Sequence, residues 1–422
     1  MSRVILRDAN LLDGERAVQP HQTIVVEGNQ ITQVGEAPAE AGPEDQVFDL
    51  AGRTLMPGMV TSHFHSTYDD ITIMPQPIGL EAPPAYLAIV ASQNLRMALH
   101  SGFTSVVSAG GINDDIDPQA KRAIEEGVVE GPRLVAGGRG LDTLGGYQDT
   151  EKWWWELGNK GAGRYCSGPT EFIHAVRDEV SRGVEMVKIF PSGGHGVNEE
   201  LETLSFSREE LDAIVQTAHN RGARVRAHCP WKEPMLTCID AGVDIIDHGD
   251  RLDAELIDTL LKHDTTLVPS AFFIKLMLGD DQNLVQGTEA QWAPIRADFD
   301  NMVRTLPAAN EAGVRLCVGD DYGILLMPHG LGAYARELEF YVKDVGIPAL
   351  DVLRWATKHG GELMPDPVGL VAPGMLADLL VVDGDPSQDI ALLQDLDKLL
   401  AIMKGGEFVK ALPGAFEAGS AT

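Results

Sequence analysis

Eight short apolar segments, beginning at Met59, Phe103, Arg133, Val184, Ala223, Val243, Thr265 and Val314, each give way to a stretch with helical periodicity. A chain that repeats strand and amphipathic helix pairs its strands in parallel, with each helix as the crossover. The stretch after Phe206 shows the quality of the pattern. Ser207 stands where an N-cap belongs and Glu210 completes a capping box; Leu211, Ile214, Val215 and Ala218 form one apolar face, and Gly222 supplies the stop. Eight such units in 422 residues predict an α/β fold, a (β/α)8 TIM barrel over residues 57–366. An open doubly wound sheet is the alternative, but no G-x-G-x-x-G opens a helix after a strand to favour it.

The two ends of the chain lack helical period. Val4-Ile5-Leu6 and the run Thr23 to Val34, with a hairpin signal at Gly28-Asn29, read as strands in residues 1–56. Ala377 to Asp385 and Leu399 to Val409 read the same way in residues 367–422. Together the ends predict one small β-sandwich domain. A Gly-rich segment, residues 141–168, interrupts the repeat as a long loop carrying Tyr147, Trp153-Trp154-Trp155 and Tyr165, either a binding loop or an oligomer contact.

The net charge of −30 argues against nucleic acid and anionic membrane as partners, since both repel such a surface within a Debye length. Cys166, Cys229, Cys238 and Cys317 have no CxxC spacing and read as free thiols of a reducing compartment. With no basic, apolar leader at Met1-Ser2-Arg3 and no long apolar run, the expectation is a cytoplasmic protein with a small-molecule substrate, assembled as a homo-oligomer.

In a barrel of this kind, chemistry gathers at the C-terminal ends of the strands. The first strand ends in His63-Phe64-His65, and alternation puts both imidazoles on one face. The fourth holds Lys188 inside an apolar run, where a charged amine is costly. A desolvated lysine has a lowered pKa, and its neutral amine can add carbon dioxide to become a carboxylate-like carbamate. The fifth ends at His228, the sixth at His248 and the eighth at Asp320. Any one of these would suit a satisfied core residue, but the ordered set matches metal ligation better than packing. His21, His100, His174, His219, His263 and His359 fall on loops or helix faces.

This set, the approach Leu55-Met56-Pro57-Gly58 and the return Pro373-Gly374-Met375-Leu376-Ala377-Asp378 resemble the amidohydrolase superfamily over nearly the whole chain. Val187-Lys188-Ile189-Phe190-Pro191-Ser192-Gly193-Gly194, Asp247-His248-Gly249 and Pro328-His329-Gly330 resemble its imidazolonepropionase, metal-dependent dipeptidase and ochratoxin amidohydrolase branch. The resemblance implies two divalent metal ions, zinc first with Mn, Co or Ni as alternatives. His63, His65 and Asp320 would bind one ion, His228 and His248 the other, with carbamylated Lys188 and a hydroxide bridging them. It further implies hydrolysis of a C–N bond, with Asp320 carrying the proton to the leaving nitrogen and His248 or Tyr68 holding the oxyanion.

Where the dipeptidase-like branch carries Gly-Gly-His after strand three, this chain reads Gly145-Gly146-Tyr147. That departure, with Trp153, points to a bulky apolar or aryl group on the substrate, an N-acyl amino acid, dipeptide-like or aryl amide, with His195 and His329 as polar contacts. Arg226 shares the inward face of His228 and could bind a substrate carboxylate or balance an interior acid. Carbamate, urea, ester or lactone hydrolysis would use the same centre. A mononuclear deaminase would want His-x-x-Glu, but Trp231 stands there, and a non-catalytic scaffold would have lost ligands.

Overall fold

The computed structural model describes residues 3–37, 39–68, 80, 82–113, 115–149, 154, 161–195, 203–279, 289–319, 321 and 333–416. In chain order its strands begin with β1 (Arg3–Leu11), β2 (Gln19–Glu27), β3 (Gln30–Gly35), β4 (Gln46–Asp49), β5 (Thr54–Pro57), β6 (Met59–Phe64), β7 (Phe103–Ser108) and β8 (Arg133–Val135). They continue with β9 (Gly137–Thr143), β10 (Gly163–Cys166), β11 (Met186–Ile189), β12 (Arg224–His228), β13 (Ile245–Asp247) and β14 (Thr266–Val268). The last three are β15 (Leu379–Val382), β16 (Leu399–Lys404) and β17 (Glu407–Ala411). Two compact units emerge: Met1–Thr61 with Arg96–Ser105 and Gly330–Thr422, and Ser62–Leu95 with Val106–His329.

The first unit holds an eight-stranded sheet in the order β17-β16-β15-β5-β1-β2-β3, with β4 added on β1. Both chain ends therefore contribute to one sheet. Gly28-Asn29 forms the two-residue turn between β2 and β3, with Gly28 at φ 59°, as the hairpin signal requires. Leu6, Ile24, Val26, Leu55, Leu379, Val381 and Met403, drawn from both ends, share one buried cluster.

The apolar run that leads to His63 is two strands. β5 pairs with β15, whereas β6 belongs to a different sheet, and the change comes at Gly58. A Cβ there would lie 2.0 Å from Thr104 Oγ1, so only glycine lets the backbone pass.

In the second unit β10-β9-β11-β12-β13-β14 form a six-stranded sheet whose pairings are all parallel, as the strand–helix alternation requires. β6, β7 and β8 form a three-stranded sheet. The segment expected as the eighth strand is extended rather than fully laddered. It makes one parallel bridge, Leu316 to Leu267, while Ser62 N–H on β6 donates to Val318 O at 2.7 Å. The helix Arg208–His219 has the capping box at Ser207 and Glu210 and buries Leu211, Ile214, Val215 and Ala218.

Two strands depart from the expected loop at residues 141–168. β9 starts before that stretch and runs into it, and β10 lies inside it. Gly137-Gly138-Arg139-Gly140 has poor strand propensity, which hides β9. Packing explains the glycines: a Cβ at Gly138 would come within 2.8 Å of the Glu179 carboxylate, and one at Gly140 within 2.2 Å of the Phe190 ring. The four cysteines are buried and form no disulfide. Among the described residues no helix is long and apolar enough to cross a membrane.

Candidate metal centre

β6 delivers His63 and His65 to the same side, their ring centroids 5.2 Å apart. Both meet one carboxylate oxygen: Asp321 Oδ1 lies 2.9 Å from His63 Nε2 and 2.8 Å from His65 Nε2. Asp320, the aspartate expected at this position, lies outside the described residues; its neighbour Asp321 is the acid found in the cluster. Gly319 allows the approach, since a Cβ there would sit 2.2 Å from the His63 backbone nitrogen. Asp321 then takes a left-handed φ of 49°.

The outer nitrogens of these imidazoles are already committed. His65 Nδ1 lies 2.8 Å from the Gly110 carbonyl, an acceptor only, so Nδ1 carries the proton. His63 Nδ1 lies 3.3 Å from Ser270 Oγ, whose own hydroxyl donates to Gly319 O at 2.7 Å. With Nδ1 so engaged, each ring presents its Nε2 to the same carboxylate oxygen. Burial pushes the His65 pKa down, which disfavours a second proton on that ring. Imidazoles and a carboxylate converging in this way suit a cation, and the backing of each imidazole by a hydrogen bond is the usual support of a metal ligand.

His228, at the end of β12, and His248, just after β13, form the other half. His248 Nε2 is 2.9 Å from His228 Nδ1 and 3.9 Å from Asp321 Oδ2. His228 Nε2 and His248 Nδ1 are buried with no hydrogen-bond partner among the described residues. Burial first, and neighbouring cationic groups second, hold both imidazoles well below their ordinary pKa, the neutral state a metal needs. Ligand atoms of His63, His65 and Asp321 lie within 4.8 Å of one another, as do those of His195, His248 and Asp321. These residues fit a metal site.

Lys188 is fully buried on β11, its Nζ 2.5 Å from Asp247 Oδ2 and 5.0 Å from the Phe190 ring centre. Burial pulls its pKa down, and Asp247 pulls it back up. Arg226 is also buried: Nε donates to Asp247 Oδ2 at 3.0 Å, Nη2 bonds Oδ1, and Nη1 donates to the carbonyls of Ser62 and Ser108 at 2.9 and 2.8 Å. This is the interior-acid arrangement of the two that the sequence left open for Arg226. Burial works against the Asp247 anion, yet Arg226 and Lys188 hold its pKa well below the carboxylate range. Asp321 behaves likewise, burial opposed by His63 and His65.

An aromatic wall adjoins His228. Tyr147 stacks on its ring at 4.7 Å and on Phe190 at 5.6 Å. Tyr68 stacks on His65 at 4.1 Å. His195 stacks on His248 at 3.8 Å. Trp153 and His329 lie outside the described residues.

Asp321, Asp247, Asp250 and Ser270 are site residues that strand-end reasoning did not find. Asp250 meets His195, and Ser270 backs His63. His195, His248, Ser270 and Asp321 all have left-handed backbones, at φ 55°, 77°, 53° and 49°. Such a step breaks strand alternation, so the choice within an Asp-Asp doublet cannot be made by counting; the doublet itself was the available signal.

The amidohydrolase family model matches residues 54–409. Ochratoxinase of Aspergillus niger is 27% identical over 388 residues, covering 85% of this chain and 76% of that protein. Imidazolonepropionase of Nocardia farcinica is 23% identical over 437 aligned positions, 97% of each chain. A solved structure, a Xaa-Pro dipeptidase with methionine bound in the active site, is similar with a TM-score of 0.82 and 27% identity, over 97% of this chain and 100% of that one.

Proposed function

The chain belongs to the amidohydrolase family, and from that premise we propose that it is a metal-dependent hydrolase of an amide C–N bond in a small molecule. The observation that carries this reading is the convergence of Asp321 with His63, His65 and His248, metal-type side chains gathered around one carboxylate. We read the parallel strands of the second unit as a closed (β/α)8 barrel, and the sheet of the two chain ends as part of a β-sandwich. The family's solved structures and the bonds of residues 315–318 to both Leu267 and Ser62 support that reading.

His63, His65 and Asp321 are assigned to one divalent ion and His228 and His248 to a second, with zinc first and Mn, Co or Ni accepted by the same donors. When bound, such ions supply Lewis acidity to the scissile carbonyl and acidify the attacking water. Lys188, as its carbamate, would add a carboxylate-type donor to the centre. Carbamylation would turn the 2.5 Å pair with Asp247 into a repulsion. Arg226 makes that exchange tolerable, because it already bonds both Asp247 oxygens.

Asp321 takes the proton role first expected of Asp320. Its Oδ1 is engaged by the two imidazoles, so Oδ2 is the atom that accepts a proton from water and returns it to the leaving nitrogen. His248 and Tyr68, the latter held flat against His65, stand beside the position of the developing oxyanion. Tyr147 and Phe190 offer a flat apolar wall to an aryl or bulky acyl group, which favours an N-acyl amino acid, a dipeptide-like compound or an aryl amide. Trp153 and His329 complete the proposed substrate contacts, and Arg226 and His195, bonded to Asp247 and Asp250, are withdrawn from them. A homo-oligomer in the cytoplasm belongs to the same reading, the four free cysteines suiting a reducing compartment.

The test is metal content of protein purified without added metal, with hydrolysis of a panel of N-acyl amino acids and aryl amides before and after chelation. About two ions per chain, with activity lost on chelation and restored by divalent metal, is the expected result. Full activity in metal-free protein would overturn the reading.

A further inference from the structure

His195 follows Gly194 and projects from a left-handed backbone, φ 55°, into the site. A Cβ at Gly194 would lie 2.5 Å from Pro230, so the backbone is packed down at this point. The His195 ring lies between Phe273, at 5.7 Å, and His248, at 3.8 Å. Its Nδ1 is 2.9 Å from Asp250 Oδ1 and 3.2 Å from Oδ2, and both residues are buried. A carboxylate oxygen accepts, so Nδ1 carries a hydrogen, and Nε2 is the ring nitrogen left to meet a cation. A ligand atom of this ring lies within 4.8 Å of those on His248 and Asp321. A carboxylate behind an imidazole, which fixes the tautomer and sharpens the basicity of the far nitrogen, is the arrangement that orients metal-binding histidines.

We infer that His195 is a further ligand of the metal centre, acting with His248 and Asp321, and that Asp250 is the residue that orients it. This rests on the metal-dependent reading above and adds to it, because His195 stands outside the strand-end set of His63, His65, Lys188, His228 and His248. It lies on the segment after β11, so the centre draws a donor from a loop as well as from strands. The ion shared with His248 would then bind more tightly than the strand-end ligands alone allow.

The experiment uses full-length protein stripped of metal, reloaded with Co(II) and titrated against a chromophoric chelator. His195→Asn is expected to weaken one ion by more than ~100-fold, and Asp250→Asn by ~10–100-fold, the usual effect of removing an orienting carboxylate. His195→Cys supplies a positive signature: a thiolate–Co(II) charge-transfer band absent from the wild type. Unfolding midpoints measured in excess chelator report whether the variants are folded. Wild-type stoichiometry and affinity in His195→Asn and Asp250→Asn, or a folded, Co(II)-loaded His195→Cys protein without the new band, would overturn the inference. A wild type that binds no metal would instead sink the metal-dependent reading, so the two failures are distinguishable.

Discussion

Asp321 meets His63 and His65 from a left-handed backbone, and the role proposed for it is measurable. Asp321→Asn is expected to lower kcat/KM by ~10²–10⁴-fold, the range of a proton carrier, and to lower metal content, while Asp320→Asn stays within ~10-fold. The reverse order of effects would return the role to Asp320. Asp247 carries a different burden. In metal-free protein, with Lys188 an unmodified amine, it neutralises Arg226 and Lys188 in the interior, so Asp247→Ala leaves two cations facing each other and should cost about 3–5 kcal/mol in urea unfolding. His63, His65, Lys188 and His228 were legible because each lies on or directly after a strand of ordinary alternation. Asp247 was not, since it precedes His248 on the strand and only the turn at His248 lets both reach the interior.

The turn after β9 links backbone chemistry to the aromatic wall. Asp142, buried at its end, accepts from Thr143 N and Gln148 N at 2.7 Å each, and so shapes the turn that presents Tyr147 to His228. Burial, only partly offset by those bonds, pushes the Asp142 carboxyl up to about 7. A carboxyl raised above its unfolded value of about 4 contributes stability that is complete below that value and lost as pH rises through the folded one. Wild-type unfolding free energy should therefore fall between about pH 4 and pH 7 relative to Asp142→Asn, which lacks the titration. Equal slopes in the two proteins would show that another group governs this range. β9 itself was hidden by its glycines, whose reason is an approach by Glu179 and Phe190 from distant parts of the chain. The helix after Ser207, by contrast, was legible to the residue, because cap, face and stop are all local.

Across the whole molecule, 63 acidic residues against 33 basic ones give a field that repels anions at every approach. If the substrate carries a carboxylate, its kcat/KM should rise severalfold between low salt and about 0.15 M salt, where the Debye length falls to about 8 Å. A neutral aryl amide should show little change, which separates the two substrate classes without a structure of either. Both chain ends were recognised in the sequence as strands of common character, but their pairing was not. Pairing β5 with β1 on one side and β15 on the other is a long-range choice with no local signature. That pairing also sets a timetable for synthesis. When β5 leaves the ribosome, its partner β15 is still about 320 residues away, and at roughly 5–20 residues per second the strand waits on the order of half a minute for it. Throughout that interval an apolar strand edge is open to other nascent chains, so the demand this protein makes on chaperones is written into where its last strands were left in the gene.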